Sequence, residues 1–351
     1  MIYLLLPFLF LSTIVRAQKT TVDLPDQLIL PDPYKKAYFD DQNDYTKVRS
    51  VTILSRNKVN NFQTDTLYKT FYDDFGKRIK EVSYSKNVPS SVTTFTYNES
   101  RNLKESKYVS DYLSQVVAYT YAQQEQIAST QNYHLDLKSG DSTLFSNEQY
   151  IYTRDGLVEI LTNGSLHDQY TYKDHLLQNR IGANTNEEFL YDKNGNLIRA
   201  TKYQNGEPKE ERLNELRTFQ YDSKNRLIKD SLLTSSNIVN KDYQITSYSY
   251  EEEQLKEVKV VYKTQYRNIQ FSYEDGKIKQ ITIVTNESNS AYLRHWISSK
   301  ISQYYSFPIT YCEVFDYDAY GNKVSRKDFV NDELFSETEY VIHYKKTTSD
   351  N

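Results

Sequence analysis

The chain has one cysteine in 351 residues, so no disulfide forms within it. Cys312 reads as a small buried thiol, because no histidine stands in a pattern that would make it a nucleophile. Glycine is scarce, at 9 residues. No phosphate-cradling glycine loop and no serine nucleophile elbow appears. Histidine is scarcer still. His134, His167, His175, His295 and His343 keep no common spacing, and His167 and His175, which flank one predicted strand, read as turn residues. No catalytic residue, cofactor or metal is expected. Positive charge is not in excess either: the net charge is -4 with both signs mixed along the chain, so nothing favours nucleic acid as a partner. Beyond Val15 no apolar run approaches the roughly 20 residues that span a bilayer.

Tyrosine is what the chain has in abundance, with 34 residues, against a mean hydropathy of -0.75. A ring with a wet hydroxyl suits a sheet whose faces are only partly covered. The tyrosines are ordered around Phe189-Leu-Tyr-Asp-Lys-Asn-Gly-Asn-Leu-Ile-Arg-Ala-Thr201, which reads as one β-hairpin. Phe189 and Tyr191 share a strand face. Asp192 suits the first position of a type I turn, and Gly195 the left-handed position after it. With Lys193–Gly195 as the loop, Asp192 faces Asn196 and Tyr191 faces Leu197.

The same Tyr–aliphatic pair recurs with loops of different length. Tyr97–Leu103, Tyr121–Ile127, Tyr152–Val158 and Tyr221–Leu227 imply three-residue loops. Tyr172–Leu177, Tyr250–Leu255 and Tyr273–Ile278 imply two-residue loops, the last being Asp275-Gly276. Tyr72–Ile79 and Tyr317–Val324 imply four-residue loops around Gly76 and Gly321. A second aromatic precedes the tyrosine by two residues in nine copies, from Phe95 to Phe315. Cross-strand pairs of this kind contribute about 0.2–1 kcal/mol each.

Tyr191-Asp-Lys-Asn-Gly-Asn-Leu197, Tyr221-Asp-Ser-Lys-Asn-Arg-Leu227 and Tyr317-Asp-Ala-Tyr-Gly-Asn-Lys-Val324 resemble the Tyr-Asp (YD, or RHS) repeat family of exported bacterial proteins over roughly residues 65–345. The resemblance implies a curling sheet of antiparallel hairpins. The copies are degenerate, lacking the turn glycine at Arg101, Glu125 and Asn225.

The fold class expected is therefore all-β: an antiparallel meander of about ten YD-type hairpins, or about twenty strands, forming one long curled and twisted sheet, with a short helical insertion near 291–304. A flat open sheet that wide is unusual, and strand twist winds it. Residues 1–17 read as a secretory signal peptide, and 18–46 as an extended lead-in that caps the first hairpin. Residues 47–346 form a single repeat domain with an irregular insertion at 286–311, and 347–351 a polar tail. Asn163-Gly164 and Asn205-Gly206 are the cleanest return turns.

No chemical constellation emerges, so the chain is read as a non-enzyme. Asp192-Lys-Asn-Gly-Asn196 has its glycine in the wrong place for a calcium loop. Two functions fit: an exported, non-catalytic scaffold for protein or cell-envelope interaction, or a carbohydrate-binding module. A toxin- or secretion-associated role follows from the family resemblance alone. The partner is a protein or a cell-surface glycan, at a periplasmic, cell-surface or extracellular location. Tyr203, Tyr262, Tyr266, Trp296, Tyr304 and Tyr305 lie outside the repeat positions and are the candidate ligand contacts. No transmembrane segment is expected after signal cleavage, and strands such as Lys202–Glu211 are too charged for a lipid face.

Overall fold

The computed structural model describes residues 45–122, 126–154, 156–204, 213–235, 241–287, 301 and 304–345. The expected signal segment, most of the lead-in, Asn205-Gly206, Glu125 and most of the 286–311 insertion lie outside them.

The turn at the root of each hairpin follows from its sequence. In the Tyr191 copy the Asp192 backbone N–H donates to Asn196 O at 2.9 Å, and the Gly195 N–H to Asp192 O at 3.1 Å. Asp192 Oδ1 accepts from the backbone of Asn194 and of Asn196. Gly195 sits at φ +81, a region glycine enters without a Cβ penalty. The loop is Lys193–Gly195, and Tyr191 pairs with Leu197, as expected. The Asp222 and Asp318 turns repeat this bonding. Hydrogen bonds from Asn196 and from Arg226 hold the Asp192 and Asp222 carboxyls below the usual carboxylate range. Where the glycine is missing, Arg101 and Asn225 take the left-handed position at φ 63 and φ 60.

Three pairings differ from expectation. Tyr72 pairs with Arg78 and Tyr317 with Lys323, in place of Ile79 and Val324. Gly76 and Gly321 close three-residue loops there too, through bonds to Asp73 and Asp318, so the loop does not lengthen and the partner changes instead. Tyr152 pairs with Leu157 in place of Val158, because Thr153 pairs with Gly156 and leaves a two-residue loop. The ladder also shifts by one residue just before the motif tyrosine, which leaves Ile198 and Ile228 outside and Leu197 and Leu227 buried.

Strands run β1 (Val48–Asn57), β2 (Asp65–Tyr72), β3 (Arg78–Ser85), β4 (Val88–Tyr97), β5 (Leu103–Ser110), β6 (Ser114–Tyr121), β7 (Ile127–Leu135), β8 (Ser142–Thr153), β9 (Gly156–Thr162), β10 (Ser165–Lys173) and β11 (Leu176–Gly182). They continue as β12 (Thr185–Tyr191), β13 (Leu197–Gln204), β14 (Leu213–Tyr221), β15 (Leu227–Ser235), β16 (Lys241–Glu251), β17 (Gln254–Tyr262), β18 (Gln265–Glu274), β19 (Lys277–Thr285), β20 (Ile309–Tyr317), β21 (Lys323–Val330) and β22 (Glu333–Tyr344). All 22 belong to one sheet. By contact the described residues divide into two units, those within 92–169, and those within 45–91 together with those within 170–345.

In the first unit β5 to β10 pair in sequence order, all antiparallel. Tyr121 pairs with Ile127, and its hydroxyl donates to Leu103 O at 2.8 Å. Phe95, Leu103, Ile127, Tyr150 and Leu157 form the buried layer. Asn163 and Gly164 turn the chain with φ 51 and φ 80, and Asn163 Oδ1 accepts from the Asn147 N–H at 2.8 Å.

In the second unit β11 to β22 form a sequential meander, and β1 lies between β2 and β22. Pairing of the first strand, β1, with the last, β22, overturns the expectation of an open curled sheet with those two strands at its edges. The YD/RHS designation is corrected with it, since a sheet whose first and last strands pair gives that label no support. The physical reason is the cost of an edge. An open meander would leave one side of β1 and one side of β22 as rows of unpaired N–H and C=O groups, and their pairing satisfies both.

Four successive hairpins in this unit are each tied to the one before by a tyrosine hydroxyl. The hydroxyls of Tyr221, Tyr250, Tyr273 and Tyr317 donate to the backbone O of Leu197, Leu227, Leu255 and Ile278 at 2.8–2.9 Å. The first aromatic of each copy goes into the core instead: Phe189, Phe219, Tyr248, Phe271 and Phe315 are buried beside Leu197, Leu227 and Leu255. Tyr45 stacks on Tyr72 with ring centroids 4.6 Å apart, and a Cβ on Gly76 would lie 2.8 Å from Thr46 N. Gly195→Ala meets open space and is expected to cost about 1 kcal/mol from backbone strain alone. Gly76→Ala adds a backbone clash and should cost more. Urea midpoints of the two variants check the order.

Candidate functional site

Two clusters of polar side chains stand out, both in the second unit. The first is buried on β20–β22. Tyr311, Glu313 and Phe315 alternate onto the inner face of β20, and Arg326 and Asp328 onto that of β21. Register places Glu313 opposite Asp328, and Asp328 opposite Ser336. Arg326 Nε lies 3.0 Å from Asp328 Oδ1, and its Nη2 donates to Asp328 Oδ2 at 3.1 Å and to Thr338 Oγ1 at 3.4 Å. The Ser336 hydroxyl donates to Asp328, and the Tyr311 hydroxyl to Glu313 at 3.1 Å. Burial works against the Arg326 charge, yet Asp328 and then Glu313 hold that guanidinium well above its ordinary value. All these groups are at most 5% exposed. Without solvent access, the cluster is suited to holding strands in register and not to turning over a substrate.

The second cluster is accessible. Lys58 follows β1, Glu333 opens β22, and β1–β22 pairing brings them together across 275 residues of sequence. Lys58 Nζ donates to Glu333 Oε1 at 2.5 Å and to the Tyr305 hydroxyl at 3.3 Å, and that hydroxyl donates to Glu333 Oε2 at 2.7 Å. Bonds to Glu333 and then Tyr305 raise the Lys58 ammonium, and the bond from Lys58, then that from Tyr305, lowers Glu333. Lys58 also lies 5.2 Å from the Tyr305 ring centroid. Tyr304 and Tyr305 both pack edge-on against the buried Phe335, at 6.5 and 6.3 Å. Tyr304 remains 47% exposed, so one flat ring faces solvent beside a neutralised polar triad.

The other sequence candidates do not join this cluster. Tyr203 donates to Glu188 at 3.3 Å at the end of β13. Tyr262 pairs with Gln265 across a tight turn and carries Lys263 5.2 Å over its ring. Tyr266 pairs with Val261 on the outer face. Trp296 lies outside the described residues. Lys58, Glu333 and Phe335 are absent from the sequence-based set: Glu333 and Phe335 meet Tyr305 from β22, and Lys58 joins them only through the pairing of β1 with β22. Glu313 did carry a signal: it stands between two aromatics at alternate positions, on the face those aromatics bury.

Among the described residues no three His, Cys, Asp or Glu side chains group as metal ligands, and no helix is long and apolar enough to cross a membrane. His167 Nδ1 bonds its neighbour Asp168 at 2.8 Å. Cys312 is half-buried opposite Phe329 and Thr282. Burial pushes its thiol up, and the charges of Glu313, Asp332 and Asp328 act in the same direction. A raised pKa means less thiolate at neutral pH. Alkylation of the folded chain by iodoacetamide should therefore be slow at pH 7 and accelerate only above the usual thiol range; a rate at pH 7 equal to that of a free cysteine contradicts this.

No family model and no curated protein matches the sequence. Several solved structures are similar, three of them as follows. A chain of the Photorhabdus luminescens Tc holotoxin pore is 12% identical over 78% of this chain, with a TM-score of 0.32. This chain spans 16% of that toxin chain. A porin-like protein from Bacteroides uniformis is 8% identical, over 86% of this chain and 98% of its own, with a TM-score of 0.29. A porin-like protein from Bacteroides vulgatus is 12% identical, over 86% and 99%, with a TM-score of 0.26. At these scores none of the three decides function here.

Proposed function

We propose that the protein is an exported, non-catalytic β-sheet scaffold whose exposed strand faces bind another protein or a cell-envelope component. The supporting observation is how polarity is divided between the two faces of the second unit's sheet. On β17–β18 the outward pairs are Glu257–Gln270 and Lys259–Asn268, and the inward ones are Val258–Ile269 and Val260–Arg267. Outward charges bond to each other, as Lys259 does to Glu257 at 2.8 Å. A lipid-facing barrel needs an apolar outer band, and Lys256, Lys259 and Gln270 stand there instead. Export rests on the apolar residues 1–15. A photo-crosslinker at Gln270 or Ser272 tests the reading in cells that make the protein. Capture of one defined envelope partner supports it; no adduct at either position rejects it.

A second reading, carbohydrate binding, is favoured by one observation: Tyr304 presents a ring beside the Lys58–Tyr305–Glu333 triad. Stacking of a sugar on such a ring is a recurrent use of aromatic side chains with polar neighbours. Retention on envelope polysaccharide that disappears in Tyr304→Ala supports it, and absence of retention of the unsubstituted chain rejects it.

A further inference from the structure

We infer that the start of β1 and the end of β22 together form an eleventh hairpin repeat, cut at its turn, and that this cut repeat is the latch through which the second unit's sheet opens. The correspondence is residue by residue. Val48 pairs with Tyr344 as Leu197 pairs with Tyr191. Ser50 pairs with His343 as Arg199 pairs with Leu190, leaving Arg49 extra where the other copy leaves Ile198. The Lys345 N–H donates to Lys47 O at 2.9 Å, and the Asp192 N–H to Asn196 O at the same length. Val48 is 0% exposed, like the aliphatic residue of an intact copy. Only the covalent loop is missing.

Side chains replace it. Lys345 Nζ donates to Thr46 O and to Asp73 O, both at 2.6 Å, tying the C-terminal end to the lead-in and to the first turn. The Tyr344 hydroxyl donates to Asp318 and accepts from Asn322 Nδ2 at 2.9 Å, and its ring lies 4.8 Å from that of Tyr320. Lys47 Nζ stands 5.7 Å from the Tyr320 ring centroid. The latch thus grips the turns on both sides of the cut.

Opening is favoured here for an entropic reason. Strands of an intact hairpin stay tethered by two or three residues when they part, and so gain little freedom. β1 and β22 have no such tether, since all the other strands lie between them in sequence, so their parting frees two strands that no short loop holds together. Partial opening at such a place is the kind of low-energy excursion that amide exchange detects.

The test uses the full chain. In the unmodified protein, β1 and β22 amides are expected to exchange about tenfold or more faster than those of β17 and β18. A disulfide across the cut, Arg56→Cys with Glu337→Cys, replaces an outward ion pair and should bring β1 and β22 exchange down to the level of β17. The control bridge, Glu257→Cys with Gln270→Cys, spans an intact hairpin and should leave exchange in β17 and β18 nearly unchanged. Equal protection of the two strand pairs in the unmodified chain overturns the inference without recourse to any variant. So does an equal effect of the two bridges.

Discussion

Asp328→Ala should remove about 3–5 kcal/mol of stability, the cost of leaving a buried charge without its partner. Asp328 is 0% exposed and takes two contacts from Arg326 and one from Ser336. Without it, the Arg326 guanidinium keeps only Thr338 and the electrostatic help of Glu313. A gain of packing freedom cannot offset that, because the site has no solvent to readmit. The triple change Glu313→Gln, Arg326→Met and Asp328→Leu removes every charge of the cluster at nearly constant volume, so most of the loss should return. Urea denaturation of the three chains measures it. A loss below about 1 kcal/mol for Asp328→Ala would show that the pair is not what holds β21 against β22.

The second large effect separates the two aromatics of the repeat. Phe219 is 4% exposed, and Phe219→Ala should cost about 3–5 kcal/mol as a cavity in a packed layer. Tyr221→Phe removes only the hydroxyl that donates to Leu197 O, so its cost should be about 0.5–1.5 kcal/mol. The same hydroxyl bond recurs at Tyr250, Tyr273 and Tyr317, so Phe at all four positions should accumulate several kcal/mol, each increment as small as the first. Thermal melts of the single and fourfold variants decide this. Equal losses for Phe219→Ala and Tyr221→Phe would mean that the two rings share one role.

These hydroxyl bonds also mark how far the sequence could be read. The Phe189–Leu197 hairpin was legible down to its loop residues, because Asp, Gly and the alternating apolar positions act within a few residues of each other. The partners of Tyr72 and Tyr317 were not. A rule that kept the partner aliphatic overrode the geometry of the glycine turn, and the turn geometry prevailed. Wet tyrosines were expected from composition, yet the hydroxyl acceptors lie 18–39 residues away on the preceding hairpin, beyond any local pattern. The pairing of β1 with β22 was the largest miss. Val48 and Tyr344 carry the repeat's own residue types, but their pairing spans nearly the whole chain and leaves no periodic trace. The Lys58–Tyr305–Glu333 cluster went unseen for the same reason, since it exists only once those distant strands meet.

That meeting sets a timetable for making the protein. Of the described strands β1 is made first and its neighbour β22 last, so one side of β1 stays unsatisfied while all the strands between them are delivered. Hairpins in between can form as they emerge, each within a few tens of residues, but the final joining must wait for the C-terminal strand. The interval before that joining is when the growing sheet is most exposed to association with other chains, and a nascent protein stalled short of Glu333 would remain in that state indefinitely.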